Sequence, residues 1–366
     1  MRSSAFLVVG VLSSLALGII TTMPAKANLT IGGADARKVG MGGSGLAVRS
    51  NDDEIPTNVA LLAESGARFN INTPTFDMRV NGATQEDAQG LLGQYILNPA
   101  KAFNLAIDLG KQDTEIITSV TAGIQLPQSN ISGWATIDAK IVPNAAYQTW
   151  ANSGGLLVPF LAGAKADVYA VGLVSAPVSV GVHLPGYGGE FDFGVRVKPI
   201  RAYYSHYIID KDSIANKKPL LAPEMGDNNY LVKDSIAADI GVFASPPGMG
   251  SLRMAATVNN LIRPQAIDFK SPSATGMVKQ EIEPTTVNVG IAIEDDHFTL
   301  AADLLDVTRQ LGGSQLCLGA ELRPTHSFAL RAGYSQGGVS YGLGLGNFSI
   351  AITGNDTLAI GQLVKF

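Results

Sequence analysis

The sequence predicts an all-β fold, a closed antiparallel transmembrane β-barrel of about fourteen strands, and three observations carry the prediction. First, the chain from Thr285 to Phe366 repeats a period of two. Val287, Val289, Ile291 and Ile293 alternate with Asn288, Gly290, Ala292 and Glu294, and the same apolar row returns in each run that follows. Second, the opening residues have the form of an export signal. Third, no later run is long and apolar enough for a spanning helix, so a chain that enters a bilayer does so as strands. Alternation alone also fits a soluble sandwich whose sheets are half buried; the export signal and the composition favour the barrel.

From the start of the chain, Arg2 supplies a positive end, Ala5 to Ile20 is uncharged and mostly apolar, and Ala25-Lys26-Ala27 has the small-x-small form of a cleavage site. Residues 1–27 are therefore expected to be a cleaved signal peptide, residues 28–65 a glycine-rich plug segment, and residues 66–366 the barrel. Within the plug segment, Gly40, Met41, Gly42, Gly43, Ser44 and Gly45 fit G-x-G-x-x-G, with Glu64 about twenty residues on, where a dinucleotide site has its acid. No strand precedes these glycines and no βαβ unit follows, so the reading adopted is a backbone that turns sharply and packs closely. A helix-prone piece is expected at 58–65.

Ala67 to Phe76 reads as the first strand and Gln85 to Leu97 as a helix or insert. Ala102 to Leu109, Glu115 to Leu126 and Ile131 to Val142 read as strands, and Gly155 to Leu184 holds two or three more. Clean alternation resumes at Phe191, Phe193, Val195 and Val197. Tyr203 to Tyr230, with its lysines and prolines, is expected to be a long loop or helical insert, and Arg263 to Pro284 a second loop. Two strands lie between them, carrying Ile236 to Val242 and Leu252 to Val258. Summed, the chain gives twelve to sixteen strands, with an even count expected for a bacterial barrel.

Composition agrees. Gly 41, charged residues at 16% and apolar residues at 46% suit a lipid-facing belt over a thin polar lining. The single Cys317 rules out a disulfide framework, and a net charge of -5 without basic clusters gives no nucleic-acid surface. His183, His206, His297 and His326 are far apart in sequence, and the pairs Asp52-Asp53 and Asp295-Asp296 sit at turn positions. No catalytic constellation, metal set or cofactor motif stands out, and an enzyme is not expected. With the apolar face in lipid, Arg196, Arg253, Asp303, Glu321, Arg323 and Arg331 point inward. They serve either to pair with one another and hold the plug, or as a charged lining that selects what passes. Glu321 and Arg331 flank one hairpin turn and are expected opposite or diagonal to each other.

The terminal Phe366, after apolar residues at every second position, resembles the end signal of bacterial outer-membrane barrels. The run from Arg253 to Pro264, together with Leu300 to Leu304, Leu318 to Leu322, Leu330 to Tyr334 and Tyr341 to Leu345, resembles outer-membrane proteins of the conjugal transfer TraF family. That family is similar in turn to the barrels of the long-chain fatty-acid transporter class, FadL. The early run from Ala36 to Val48 resembles the plug of the same class. Residues 55–60 depart from the class wording, so the resemblance does not extend to a fatty-acid ligand. It implies a barrel in the bacterial outer membrane, contacts with outer-membrane lipid and the barrel-assembly machinery, which reads Phe366, and a hydrophobic small-molecule ligand. The function it implies is passage of a small hydrophobic or amphipathic compound; the alternative is a non-transporting envelope or conjugal-transfer component.

Overall fold

The computed structural model describes residues 35–49, 57–64, 70–81, 107, 111, 113–154, 163–185, 189–210, 230–265, 267–270, 277–280, 284–311, 313–325, 327–336, 338–354 and 357–365. Strands dominate. The first half of the wall consists of β1 (Asn70–Asn81), β2 (Thr114–Leu126), β3 (Ser129–Pro143), β4 (Lys165–Ser175), β5 (Val178–Pro185), β6 (Glu190–Asp210), β7 (Tyr230–Ser245) and β8 (Leu252–Ile262). A separate hairpin, β9 (Ile267–Lys270) with β10 (Met277–Gln280), follows. The second half is β11 (Thr286–Glu294), β12 (Phe298–Leu305), β13 (Gln315–Thr325), β14 (Phe328–Ser335), β15 (Gly338–Leu345), β16 (Phe348–Thr353) and β17 (Thr357–Lys365).

Every pairing is antiparallel, and β17 pairs with β1, which leaves the wall no edge. Closure is what a bilayer demands, since an unpaired backbone edge in hydrocarbon costs several kcal/mol for each group. The register of β4 against β3 and β6 continues unchanged into β5, so β4 and β5 occupy one place in the ring. Pro177, which has no N–H to give, separates them, although its carbonyl still accepts from Ser132 N at 3.0 Å. Counting β4 and β5 once, fourteen strand places close the ring.

The two faces of the wall differ as a membrane requires. Val178, Val180 and Val182, Val195 and Val197, Leu300, Leu322, Leu330 and Ile352 all stand exposed on the outer face. A soluble protein does not leave so continuous an apolar surface open to water. Phe191, Phe298 and Phe348 are exposed near the end with short turns, and Tyr203, Tyr334 and Tyr341 nearer the other end, as aromatic girdles are placed in such barrels. On β6 the apolar outer row ends at Arg201, which pairs with Asp234 of β7 at 2.7 Å in the open. Strands β6 and β7 run on beyond that pair, past the belt.

Short turns at Pro127-Gln128 and Gly346-Asn347, and long connections such as 211–229, lie at opposite ends; by the usual rule the short-turn end is periplasmic. Three expectations need correction. Tyr203 to Asp210 is not loop but the far part of β6, because the ladder with β4 carries the strand on to Asp210. The stretch 263–284 contains the β9–β10 hairpin. The first strand, described as Asn70–Asn81, runs past Phe76, where its end was expected; residues 67–69 lie outside the described residues. The expected leader at 1–27, the expected helix or insert at 85–97 and all of 102–109 except Ile107 lie outside the described residues.

Candidate functional site

The candidate site is built where the N-terminal segment meets the inner wall. Asp35 accepts from Arg37 N at 2.8 Å and so caps a one-turn helix, α1 (Ala36–Gly40). Burial pushes the Asp35 carboxyl above the usual carboxylate range against the pull of Arg37. After α1 the chain turns through Met41, Gly42 and Gly43, the last two at positive φ (69° and 87°), a conformation that only glycine adopts without strain.

This turn lies flush on strand backbone. A Cβ on wall Gly333 would fall on the Met41–Gly42 peptide, and one on Gly319 on Ser44 Oγ; one on Gly342 would come 3.0 Å from Gly40 Cα. Side chains lock what the glycines admit. Arg37 grips Glu321 with two hydrogen bonds, Nε to Oε2 at 3.0 Å and Nη2 to Oε1 at 2.9 Å. Arg331, directly opposite Glu321 on the ladder, donates to the same Oε2 at 2.6 Å, and Arg323 Nε stands 3.3 Å from Oε1. Glu321 is 1% exposed at its side chain and Arg37 4%. A carboxylate so enclosed requires cations, and three arginines supply them. Next along the segment, Asp303 Oδ2 accepts from Gly45 N at 2.7 Å and Leu46 N at 2.9 Å.

Arg49 ends this contact. Its backbone N donates to Glu294 at 2.9 Å, its guanidinium pairs with Glu190 and its Cζ lies 5.1 Å from the centre of the Phe243 ring. The next described residues of the segment lie beside this point, against β5 to β7. Asn58 donates to Val242 O at 2.9 Å and caps a 3-10 helix (Val59–Glu64) by accepting from Ala60 N. That helix lies across Gly181, Gly194 and Gly241, which are successive ladder partners; a Cβ on any of them would meet the segment. Met41, Leu46, Ala47, Val48 and Ala60 form one buried cluster with Phe243, Ala255, Ala292 and Ala301 of the wall.

A second network stands apart, on β6 to β8. Lys198 Nζ is 2.7 Å from both Asp239 Oδ1 and Asn260 Oδ1, and Arg196 Nη1 is 3.8 Å from Asp239. Asn260, at φ 52°, gives its N–H to Asp239 at 2.8 Å at an irregularity of the β7–β8 ladder. Farther toward the long-loop end, the inner face of β3 to β7 turns apolar: Trp134, Val171, Leu173, Ile200, Ala202 and Tyr204 pack together, none more than 7% exposed.

All six charges named from the sequence face inward, but the structure gathers only Glu321, Arg323 and Arg331. Asp303 binds backbone, Arg196 belongs to the Lys198 network, and Arg253 donates to Ser245 Oγ and Gly250 O. Gly40, Met41, Gly42, Gly43 and Gly45 lie along β11 to β16, and Phe366 lies outside the described residues. Sequence reasoning missed Arg37, Arg49, Lys198 and Asp239. Lys198 and Asp239 stand in inward rows of alternating strands, and that parity was the signal available for them; nothing local marks Arg37.

No curated protein matches the sequence. Among solved structures, the chain is similar to the toluene transporter TbuX of Ralstonia pickettii, at 12% identity and a TM-score of 0.51, covering 91% of this chain and 97% of that one. It is similar also to a deletion mutant of TodX, a monoaromatic hydrocarbon channel from Pseudomonas putida, at 10% identity and a TM-score of 0.50, covering 91% of this chain and 98% of that one. At such identities the likeness concerns the fold, which is that of the FadL-like outer-membrane barrels. Residues 40–304, well over half of the chain, match the family described as F plasmid transfer operon TraF protein, and the chain belongs to that family.

Proposed function

We propose that the protein lets small hydrophobic or amphipathic compounds cross the outer membrane, with residues 28–65 as its plug. The observation that carries this reading is the apolar cluster on the lumen face of β3 to β7. A lumen meant for water and ions is lined with polar groups, whereas Leu173, Ile200 and Tyr204 pack together as apolar groups on the side where lipid is absent. The hydrocarbon-channel relatives in fold support the same reading. The segment's seat along β5 to β7 and β11 to β16 argues against an open pore.

Uptake of labelled toluene by cells producing the protein is the test. Uptake should exceed that of cells lacking it, and Leu173→Asp should reduce uptake at equal protein levels. No difference between producing and lacking cells would overturn the reading. The family description favours a second role as a component of conjugal transfer. Loss of mating on deletion, with hydrocarbon uptake unchanged, would establish that role instead.

A further inference from the structure

We propose that the transported compound is an uncharged amphipath bearing a hydroxyl or similar group, not a pure hydrocarbon, and that its polar end is bound by Thr121 and Thr136 on the lumen face of β2 and β3. This rests on the passage reading above and narrows its substrate class.

The inference starts from which polar groups of the lumen have partners. Among the described residues, the buried charges at the segment's seat and on β6 to β8 are held in pairs: Glu321 with three arginines, Asp303 Oδ2 with two peptide N–H groups, Lys198 and Arg196 with Asp239, and the Arg49 guanidinium with Glu190. An ionic headgroup would have to break one of these pairs. The neutral groups of β2 and β3 are different. Thr121 Oγ1, Thr136 Oγ1 and both polar atoms of the Asn130 amide are buried without a hydrogen-bond partner. Their residues are 6%, 2% and 1% exposed, so each carries a desolvation cost with no bond to offset it.

Their placement makes them a site and not scattered defects. Trp134 stands directly opposite Thr121 on the β2–β3 ladder, and Thr136 is the next residue of β3 on the same face. The two hydroxyls therefore flank the Trp134 ring diagonally, about 7 Å apart. Trp134 is also a member of the apolar cluster, and Leu173 of that cluster is the ladder partner of Thr136. A ring or chain lying on Trp134 and Leu173 would bring an attached hydroxyl to the two threonines. The groups are closed off in this conformation, and a ligand that parts the contact and supplies the bonds recovers what the closed wall forfeits.

Equilibrium dialysis of the mature protein in detergent, corrected with protein-free micelles, tests this with 4-hexylphenol, 4-hexylanisole and hexylbenzene. Wild type should bind the phenol most tightly, by roughly fivefold for each hydrogen bond gained, with the anisole, which accepts but cannot donate, in between. The phenol-to-hydrocarbon ratio should fall toward one in Thr121→Val and in Thr136→Val. Equal binding of all three by wild type would overturn the proposal and leave the passage reading standing. An unchanged ratio in both folded variants would overturn the assignment to this wall. Binding of none would overturn the passage reading and this proposal together. The wild-type series decides the question of class even where a variant fails to fold.

Discussion

The two arcs of wall that touch the N-terminal segment hold it by different means. On β11 to β16 the strands are short, the inner face is glycine and alanine, and a buried carboxylate ringed by arginines fastens α1. On β5 to β7 a row of three glycines admits the 3-10 helix, but the buried charges of that arc bond to the wall, Asp192 to His183, and Lys198 and Asp239 to each other and to Asn260. One arc spends its charge on the segment; the other spends it on its own ladder. The first arc is thus a clamp and the second a cradle, and removing either should have distinct consequences.

The largest effect is expected from Glu321→Leu, which strands Arg37 and Arg331 in a buried site. Breaking one member of a buried ionic cluster costs about 3–5 kcal/mol. Limited proteolysis should then cut within residues 35–49 while the wall keeps its heat-modifiable gel mobility; simultaneous loss of both would mean that Glu321 holds the ring and not the segment. Next come the glycines. Gly333→Val and Gly194→Val each overlap segment backbone, and overpacking of this kind costs roughly 1–3 kcal/mol. Protease sensitivity should rise at 35–49 in the first and at 58–64 in the second, and identical patterns would abolish the distinction between the arcs.

A smaller change is expected from Lys198→Met, because Asp239 keeps Arg196 and the N–H of Asn260. Melting should drop with no gain in cleavage of the segment. The smallest concerns Asp35. Its carboxyl is raised above the value it has when exposed, so the seated form holds a proton more readily than the released form. Seating is then favoured below the exposed pKa and loses that contribution as pH rises through the seated pKa. Asp35→Asn retains the cap and removes the titration, so protection of residues 35–49 should match wild type in acid and exceed it at neutral pH. Equal protection at both would mean that the carboxyl is not sealed.

The sequence reveals the clamp arc more plainly than the cradle. In β11 to β16 the wall is one belt thick, so lipid selects every second residue and the alternation is unbroken. In β2 to β7 the strands outrun the belt, and beyond Arg201 the outer face no longer needs to be apolar, which is why Tyr203 to Asp210 reads as loop. The opposition of Glu321 and Arg331 follows from a single turn, so local spacing predicts it. Arg37 cannot be found this way, since its partner is 284 residues distant and only ring closure brings them together. Lys198 and Asp239 were within reach of strand parity, but which inward charges pair depends on the irregularity at Asn260, a backbone feature that no residue pattern announces.

The separation of Arg37 from Glu321 also has a consequence in time. The residues of α1 are made early, yet their strongest partners lie on strands made last. Contacts across so much chain are slow to find, and here they exist only once the late strands have ordered. Until then α1 has no clamp, and the glycine faces of β13 and β14 stand empty. Closure of the ring and docking of the segment should therefore separate into a fast and a slow phase, with protection of residues 35–49 lagging behind the shift in gel mobility. A newly closed barrel would pass through an interval in which its interior is less obstructed than in the finished molecule, and the length of that interval is set by the order of the chain.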